Sequence, residues 1–239
     1  DLPERLKLMA HNEGKFGPDY HHKAVAAGHD KSMVQAYLAC VSFTDEQVGR
    51  ILDAWYASSH AEHGYVVLWS DHGYQLSEKE GWSKMKPWFD SARVNLMIAG
   101  PGLAEGVLCD KAVSLQDLYP TLVELLKLPA PPQKLDGNSL VPLLKNPQTD
   151  WDRPVLMSSE EEGMRYDVVM DNDYRMTRLT TGETELYNLN NDPHEFTNLL
   201  TLHSSQSDEG AKNAEVIEKL SQHLSFSHPK PGNDGWLEA

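Results

Sequence analysis

Between residues 31 and 57 the apolar positions Val34, Tyr37, Leu38, Val41, Val48, Ile51, Leu52 and Trp55 recur at three- and four-residue intervals, which gathers them on one helical face. The spacing predicts a long amphipathic helix against a core, with Asp30 as its N-cap and Thr44-Asp45-Glu46 as a break in its regularity. The pattern then changes. Val66-Val67-Leu68-Trp69, inside a strand expected over 65–70 and bounded by Gly64 and Gly73, is a continuous apolar run. It reads as a fully buried strand of a parallel sheet. Val94-Asn95-Leu96-Met97-Ile98-Ala99, closed by Gly100-Pro101-Gly102, reads as a second buried strand. Between them lies a polar loop from Asp71 to about Pro87, longer than a mere connection needs. Asp117-Leu118-Tyr119-Pro120-Thr121 opens a further helix to about Leu126, which the Pro/Gln/Gly-rich 129–137 ends. Helix, strand, loop, strand and helix in this order predict an α/β layer architecture.

After about Asp150 the periodicity shortens. Tyr166–Met170, Tyr174–Leu179 and Glu183–Tyr187 are strand-like runs separated by Asp171-Asn172-Asp173 and Thr180-Thr181-Gly182, turn chemistries that suit an antiparallel meander. Val216, Ile217, Leu220 and Leu224 give a C-terminal helix a narrow apolar stripe. The expected division is therefore an α/β part over 1–150 and a small antiparallel-sheet-plus-helix subdomain over 151–239. Residues 1–29 read as a surface connection, and no spacing marks His11, His21, His22 or His29.

A formal net charge of −15 argues against a general nucleic-acid or membrane-surface binder, because both partners are anionic. Cys40 and Cys109 have no metal-type spacing and read as small buried hydrophobes. No stretch is long and apolar enough to span a bilayer, and the opening Asp1-Leu2-Pro3-Glu4-Arg5 has neither an initiator Met nor a signal-peptide core.

Against that acidic background, one junction carries candidate chemistry. Ser70-Asp71-His72-Gly73 follows the first apolar strand, and ligands of an open α/β sheet sit outside the carboxyl ends of its strands. Taken alone, an Asp-His pair there is equally a turn cap beside a satisfied surface histidine. The same loop also concentrates Lys79, Lys84, Lys86 and Arg93, positive charge of the kind an anionic substrate needs. Lys79 and Lys86 read as a solvated face, Arg93 as a structural ion pair below the site, and Tyr74, Trp82 and Trp88 as buried packing groups.

The string Ser70-Asp71-His72-Gly73-Tyr74-Gln75-Leu76-Ser77-Glu78, with Gly81-Trp82-Ser83-Lys84, Ser91-Ala92-Arg93-Val94 and Ile98-Ala99-Gly100-Pro101-Gly102, resembles the C-terminal half of the type I, formylglycine-dependent sulfatases. The His after the Asp is similar to iduronate-2-sulfatase and its bacterial polysaccharide-degrading relatives. Tyr37–Phe43 with Asp45 and Gln47–Arg50, Asp117–Leu122, and Glu185-Leu186-Tyr187-Asn188-Leu189 with Asp192-Pro193, Glu195 and Asn198-Leu199 agree in order, over most of 31–200. The resemblance implies an alkaline-phosphatase-like α/β sandwich, incomplete in this chain. It also implies that Asp71 and His72 are two ligands of a divalent cation, usually Ca²⁺, and that Lys84 contacts the sulfate ester. A Lewis-acidic cation and an ammonium suit the charge that develops on a sulfuryl group, although an imidazole by itself suits Zn²⁺ better than a hard, oxygen-seeking Ca²⁺.

The family's nucleophile, a Cys or Ser of a C/S-x-P-x-R motif converted to formylglycine, has no match here. Cys40 is followed by Val41-Ser42-Phe43-Thr44 and Cys109 by Asp110-Lys111-Ala112-Val113. The expectation is a C-terminal portion of a sulfatase of sulfated carbohydrates, inactive alone and partnered by the N-terminal portion of the same enzyme, exported from a bacterial cell. The competing readings are phosphodiester or phosphonate ester hydrolysis and a noncatalytic sulfated-glycan-binding relative.

Overall fold

The computed structural model of the protein describes residues 20–161, 163–202 and 207–225. Of the candidate histidines, His11 lies outside the described residues. The chain divides into two units. One joins residues 72–93 and the segment up to Lys23 to everything from Arg153 onward; the other comprises 24–71 and 94–152. The first boundary falls within a short helix α1 (Tyr20–Ala26).

In the 24–71 and 94–152 unit, helix α2 (Asp30–Tyr56) runs unbroken through Thr44-Asp45-Glu46. His29 rather than Asp30 is the N-cap; Asp30 instead sits in the first turn, where a carboxylate complements the helix dipole. The spacing located the helix, but the expected core on its apolar face is absent. None of its residues is buried, and Ile51 is 69% and Phe43 65% exposed. Strand β1 (Val66–Trp69) pairs antiparallel with β4 (Leu96–Ala99), Val66 opposite Ala99 and Trp69 opposite Leu96. This corrects the reading of two fully buried strands in a parallel sheet: a two-stranded ribbon has no neighbours to cover both faces, and Trp69 is 51% and Met97 55% exposed. Cys40 and Cys109 are likewise exposed rather than buried: Cys40 lies on α2, which buries none of its residues, and Cys109 lies in a loop outside any helix or strand.

The buried corner of this unit is built from the Asp117-to-Thr121 motif. Ser114 and Asp117 form a capping box, and the other Asp117 carboxylate oxygen accepts from Asn138 N at 2.8 Å. Thr121 Oγ1 accepts from Leu140 N at 2.8 Å, so helix α4 (Leu118–Leu125) is tied by two fully buried polar side chains to the segment leading into α5 (Val141–Lys145).

The other unit centres on a four-stranded antiparallel sheet in the order β5 (Val155–Glu161), β6 (Met164–Met170), β7 (Tyr174–Leu179), β8 (Thr184–Asn188). The three-stranded meander forms as expected, and β5 is an added strand. Because successive side chains on a strand point to opposite faces, Val169, Met176 and Leu186 meet Leu220 of helix α7 (Asp208–Ser221) on one side. Tyr166, Val168 and Leu179 meet Trp88 on the other. Each fully buried aliphatic residue there contributes about 1.5–3 kcal/mol. Asp171 closes the β6–β7 turn, accepting from Asp173 N at 3.0 Å and Tyr174 N at 2.8 Å, and pairs with Lys219 of α7 at 3.0 Å. Among the described residues, no helix is long and apolar enough to cross a membrane.

Candidate functional site

At the end of β1, Ser70 N donates to Asn95 O at 3.2 Å, which carries the ribbon pairing one residue further. Asp71 follows, exposed, and then His72, half-buried. His72 Nδ1 lies 2.7 Å from the Gly73 carbonyl oxygen. A carbonyl only accepts, so Nδ1–H is the donor of this bond, and Nε2 is the ring nitrogen through which a neutral imidazole would meet a cation. Gly73 N and Tyr74 N donate to Ser91 O and Asp90 O, both at 2.9 Å. A Cβ at Gly73 would stand 2.2 Å from Asp90 O, so only glycine lets the chain beyond His72 lie against helix α3 (Phe89–Ala92).

The loop continues through β2 (Gln75–Leu76), a single 3₁₀ turn (Glu78–Glu80) and β3 (Trp82–Ser83), with Gln75 opposite Ser83. Five non-glycine residues in it, Ser77, Lys79, Glu80, Ser83 and Met85, hold left-handed φ angles between 52° and 90°. Each costs about 1–3 kcal/mol and persists only where the surroundings over-determine it. Lys84, half-buried, stands between two of them.

Those surroundings correct two readings of the loop. Lys86 is 1% exposed, and its N–H donates to Ser91 Oγ at 3.0 Å. Lys79 donates to the Tyr187 hydroxyl at 2.8 Å and lies 4.4 Å from the centre of that ring. Neither is a solvated-face lysine, because the β-sheet packs against the loop. Burial lowers the Lys79 pKa, with the Glu185 and Glu195 carboxylates opposing the shift. Burial in turn raises Glu185 and, together with the Glu185 charge, Tyr187. Trp82 and Trp88 are buried as expected, Trp82 donating to His21 Nδ1 at 3.2 Å and Trp88 to Glu185 at 2.9 Å. Tyr74 is exposed instead of packed. Arg93, the residue that ends α3, is exposed, with its guanidinium 5.5 Å from the Phe89 ring rather than buried below the site.

Among the described residues there is no group of three or more His, Cys, Asp or Glu that could hold a metal ion. By residue chemistry alone, the Asp71 carboxylate and the His72 imidazole are donor types that a divalent cation takes. A calcium ion takes six to eight ligands, so the rest of its shell would come from elsewhere. Glu195, Arg175 and Tyr187, which hold the loop from below, carried no signal beyond membership, for Glu195 and Tyr187, of the ordered strings Glu185–Leu189 and Asp192–Leu199.

A family model described as Sulfatase matches residues 8–128, and one described as N-sulphoglucosamine sulphohydrolase, C-terminal, matches residues 79–226. A protein named Sulfatase from Formosa agariphila is 37% identical over 175 residues, covering 73% of this chain and 34% of that protein. The chain thus spans about a third of the length of that curated relative. Among solved structures, a protein in complex with its substrate D-glucosamine-2-N,6-O-disulfate superposes with a TM-score of 0.69 at 22% identity, covering 88% of this chain and 43% of the other. The phosphonate monoester hydrolase of Agrobacterium radiobacter superposes with a TM-score of 0.66 at 22% identity, over 82% of this chain and 42% of the other. The fold is the alkaline-phosphatase-like fold of the sulfatase structures.

Proposed function

The chain belongs to the sulfatase family, and we propose that it is the C-terminal portion of an enzyme that removes sulfate from a sulfated carbohydrate. The observation that carries this reading is the strained loop, which holds Lys84 between the left-handed residues Ser83 and Met85. Hydrolysis of a sulfate ester builds negative charge on the sulfuryl oxygens and the leaving oxygen. An ammonium fixed in advance offsets that charge without reorganising as the reaction proceeds. In this reading Lys84 is the sulfate contact, and Asp71 and His72 supply two of the ligands of Ca²⁺. That ion, when bound, polarises the ester oxygens as a Lewis acid. Gly73 sets where His72 can stand, and the Nδ1–H donated to its carbonyl fixes the imidazole ring.

The nucleophile, a formylglycine, comes in this proposal from an N-terminal portion, since neither Cys40 nor Cys109 stands in the required motif. The uncovered apolar residues of α2 and of the β1–β4 ribbon support further chain packing there, because a stable protein seldom leaves such a surface in water. On this account the 239-residue chain alone does not turn over substrate. The test is the kcat/KM of the complete protein on an aryl sulfate against an aryl phosphate and an aryl phosphonate ester, with and without chelator. A sulfate preference that chelation abolishes is expected; a preference for the phosphorus esters would overturn the proposal.

A further inference from the structure

The loop that carries Lys84 is gripped from below by residues distant in sequence, and one carboxylate stands at the centre of the grip. Glu195 is 1% exposed, and both of its oxygens are used: one accepts from Phe89 N at 2.6 Å, the other from Arg175 Nη1 at 2.6 Å. Arg175, itself buried on β7, spends its second terminal nitrogen on the Pro87 carbonyl. A single carboxylate thereby fixes two backbone points, Pro87 and Phe89, three and five residues beyond Lys84. The sequence builds this on purpose-made local structure. Asp192 accepts from Phe196 N at 3.0 Å and Thr197 N at 2.7 Å, and its carbonyl accepts from Glu195 N at 3.1 Å. That turn puts Glu195 at a left-handed φ of 57° and directs its side chain inward.

We propose that Glu195 is a positioning residue for catalysis: through Phe89 and, by way of Arg175, Pro87, it sets where the Lys84 ammonium stands. The proposal rests on the reading of Lys84 as the sulfate contact. The pair fits the task because its single charge-assisted bond leaves one terminal atom on each partner for the loop backbone, which fixes orientation as well as distance, and the low-dielectric surroundings strengthen it. A buried pair of this kind is a weak source of net stability, which makes geometric specificity the more economical reason for placing it under a loop. Misplacing a reacting group by about 1 Å can lower a rate by about 100-fold.

The experiment is a double-mutant cycle in the complete protein, reading kcat, KM and Tm per folded enzyme on an aryl sulfate. Lys84→Ala should lower kcat by about 100- to 1,000-fold. Glu195→Gln, which keeps the shape and removes the charge, should lower kcat by about 10-fold or more, with a smaller change in KM. Because Glu195 acts through Lys84, the double variant should fall within about 3-fold of Lys84→Ala alone. Asp167→Asn is the control: Asp167 is a fully buried carboxylate of β6 that accepts from Ser158 and Ser225 away from the loop. It should lower Tm and leave kcat unchanged. Should Glu195→Gln fail to fold, Arg175→Lys removes the second nitrogen that reaches Pro87 and should reproduce the pattern at about 3- to 10-fold. Multiplicative effects in the cycle, or a Glu195 variant that loses only Tm as Asp167→Asn does, would overturn the positioning role while leaving Lys84 in place. Wild-type kcat/KM in Lys84→Ala would overturn both readings, and that single variant tells the two failures apart.

Discussion

The β1–β4 ribbon is made of uninterrupted apolar runs and the β5–β8 sheet of strands that mix Val, Leu and Met with charged and polar residues, yet it is the sheet that is buried. The sheet has four strands with both faces covered, by α7 on one side and by Trp88 on the other, and its central residues are wholly buried. The ribbon has two strands, and the long helix of the same unit buries none of its residues. Apolar composition therefore does not decide burial; the number of neighbours does. Among the described residues the sheet has both faces covered, and the loop packs on it. The ribbon and helix present apolar surface that, in our proposal, the N-terminal portion covers.

The largest expected effect tests that contrast directly. Leu186→Ala should destabilise the 239-residue chain by about 2–5 kcal/mol, because it opens a cavity between Val169, Met176 and Leu220. Ile51→Ala on α2 should change it by no more than about 0.5 kcal/mol. Denaturant titration reads both, and equal losses at the two positions would break the comparison. In the complete protein, Ile51→Ala should become costly if the N-terminal portion packs over α2.

A second prediction concerns the ion pair between buried Asp171 and half-exposed Lys219, which ties α7 to the sheet. Burial pushes the Asp171 carboxyl up, but the N–H groups of Tyr174 and Asp173 and the Lys219 ammonium more than offset it, so its pKa lies below the ordinary 3.8. A carboxyl depressed on folding stabilises the fold above its unfolded pKa, and that contribution is lost as pH falls through the folded pKa. Asp171→Asn should therefore cost about 1–3 kcal/mol at pH 7, and the gap to wild type should close only below about pH 4. A gap that closed near pH 6 would contradict the pairing.

The smallest effects compare the two helix starts. Ser207 Oγ accepts from Gly210 N at 3.0 Å at the start of α7, whereas His29 makes no side-chain cap bond at the start of α2. Ser207→Ala should cost about 1 kcal/mol and His29→Ala nearly nothing, measured as Tm shifts.

These contrasts also explain what could be read from the sequence. Helix α2 and strands β6–β8 were legible because 3.6-residue spacing and the turns at Asp171-Asn172-Asp173 and Thr180-Thr181-Gly182 are local signals. Strand β5 was not, since Ser158, Ser159 and Glu160 interrupt any apolar alternation and the strand is specified by its partner β6. The exposure of α2 and the antiparallel pairing of β1 with β4 depend on which neighbours are present, which no local spacing encodes. The proposed roles of Asp71, His72 and Lys84 rest on resemblance, whereas the burial of Lys79 depends on Tyr187, 108 residues away. Glu195 was visible only as one letter of an ordered string, because its partners Phe89 and Arg175 come together by folding alone.

The central claim, that this chain brings a cation-ligand pair and a sulfate-binding lysine to a sulfatase site, is tested most directly by the kcat/KM of Lys84→Ala and Asp71→Ala in the complete protein on an aryl sulfate. The account predicts a loss of about 100-fold or more for each, with added Ca²⁺ in excess restoring part of the Asp71→Ala activity and none of the Lys84→Ala activity. Wild-type kcat/KM in both variants would contradict it.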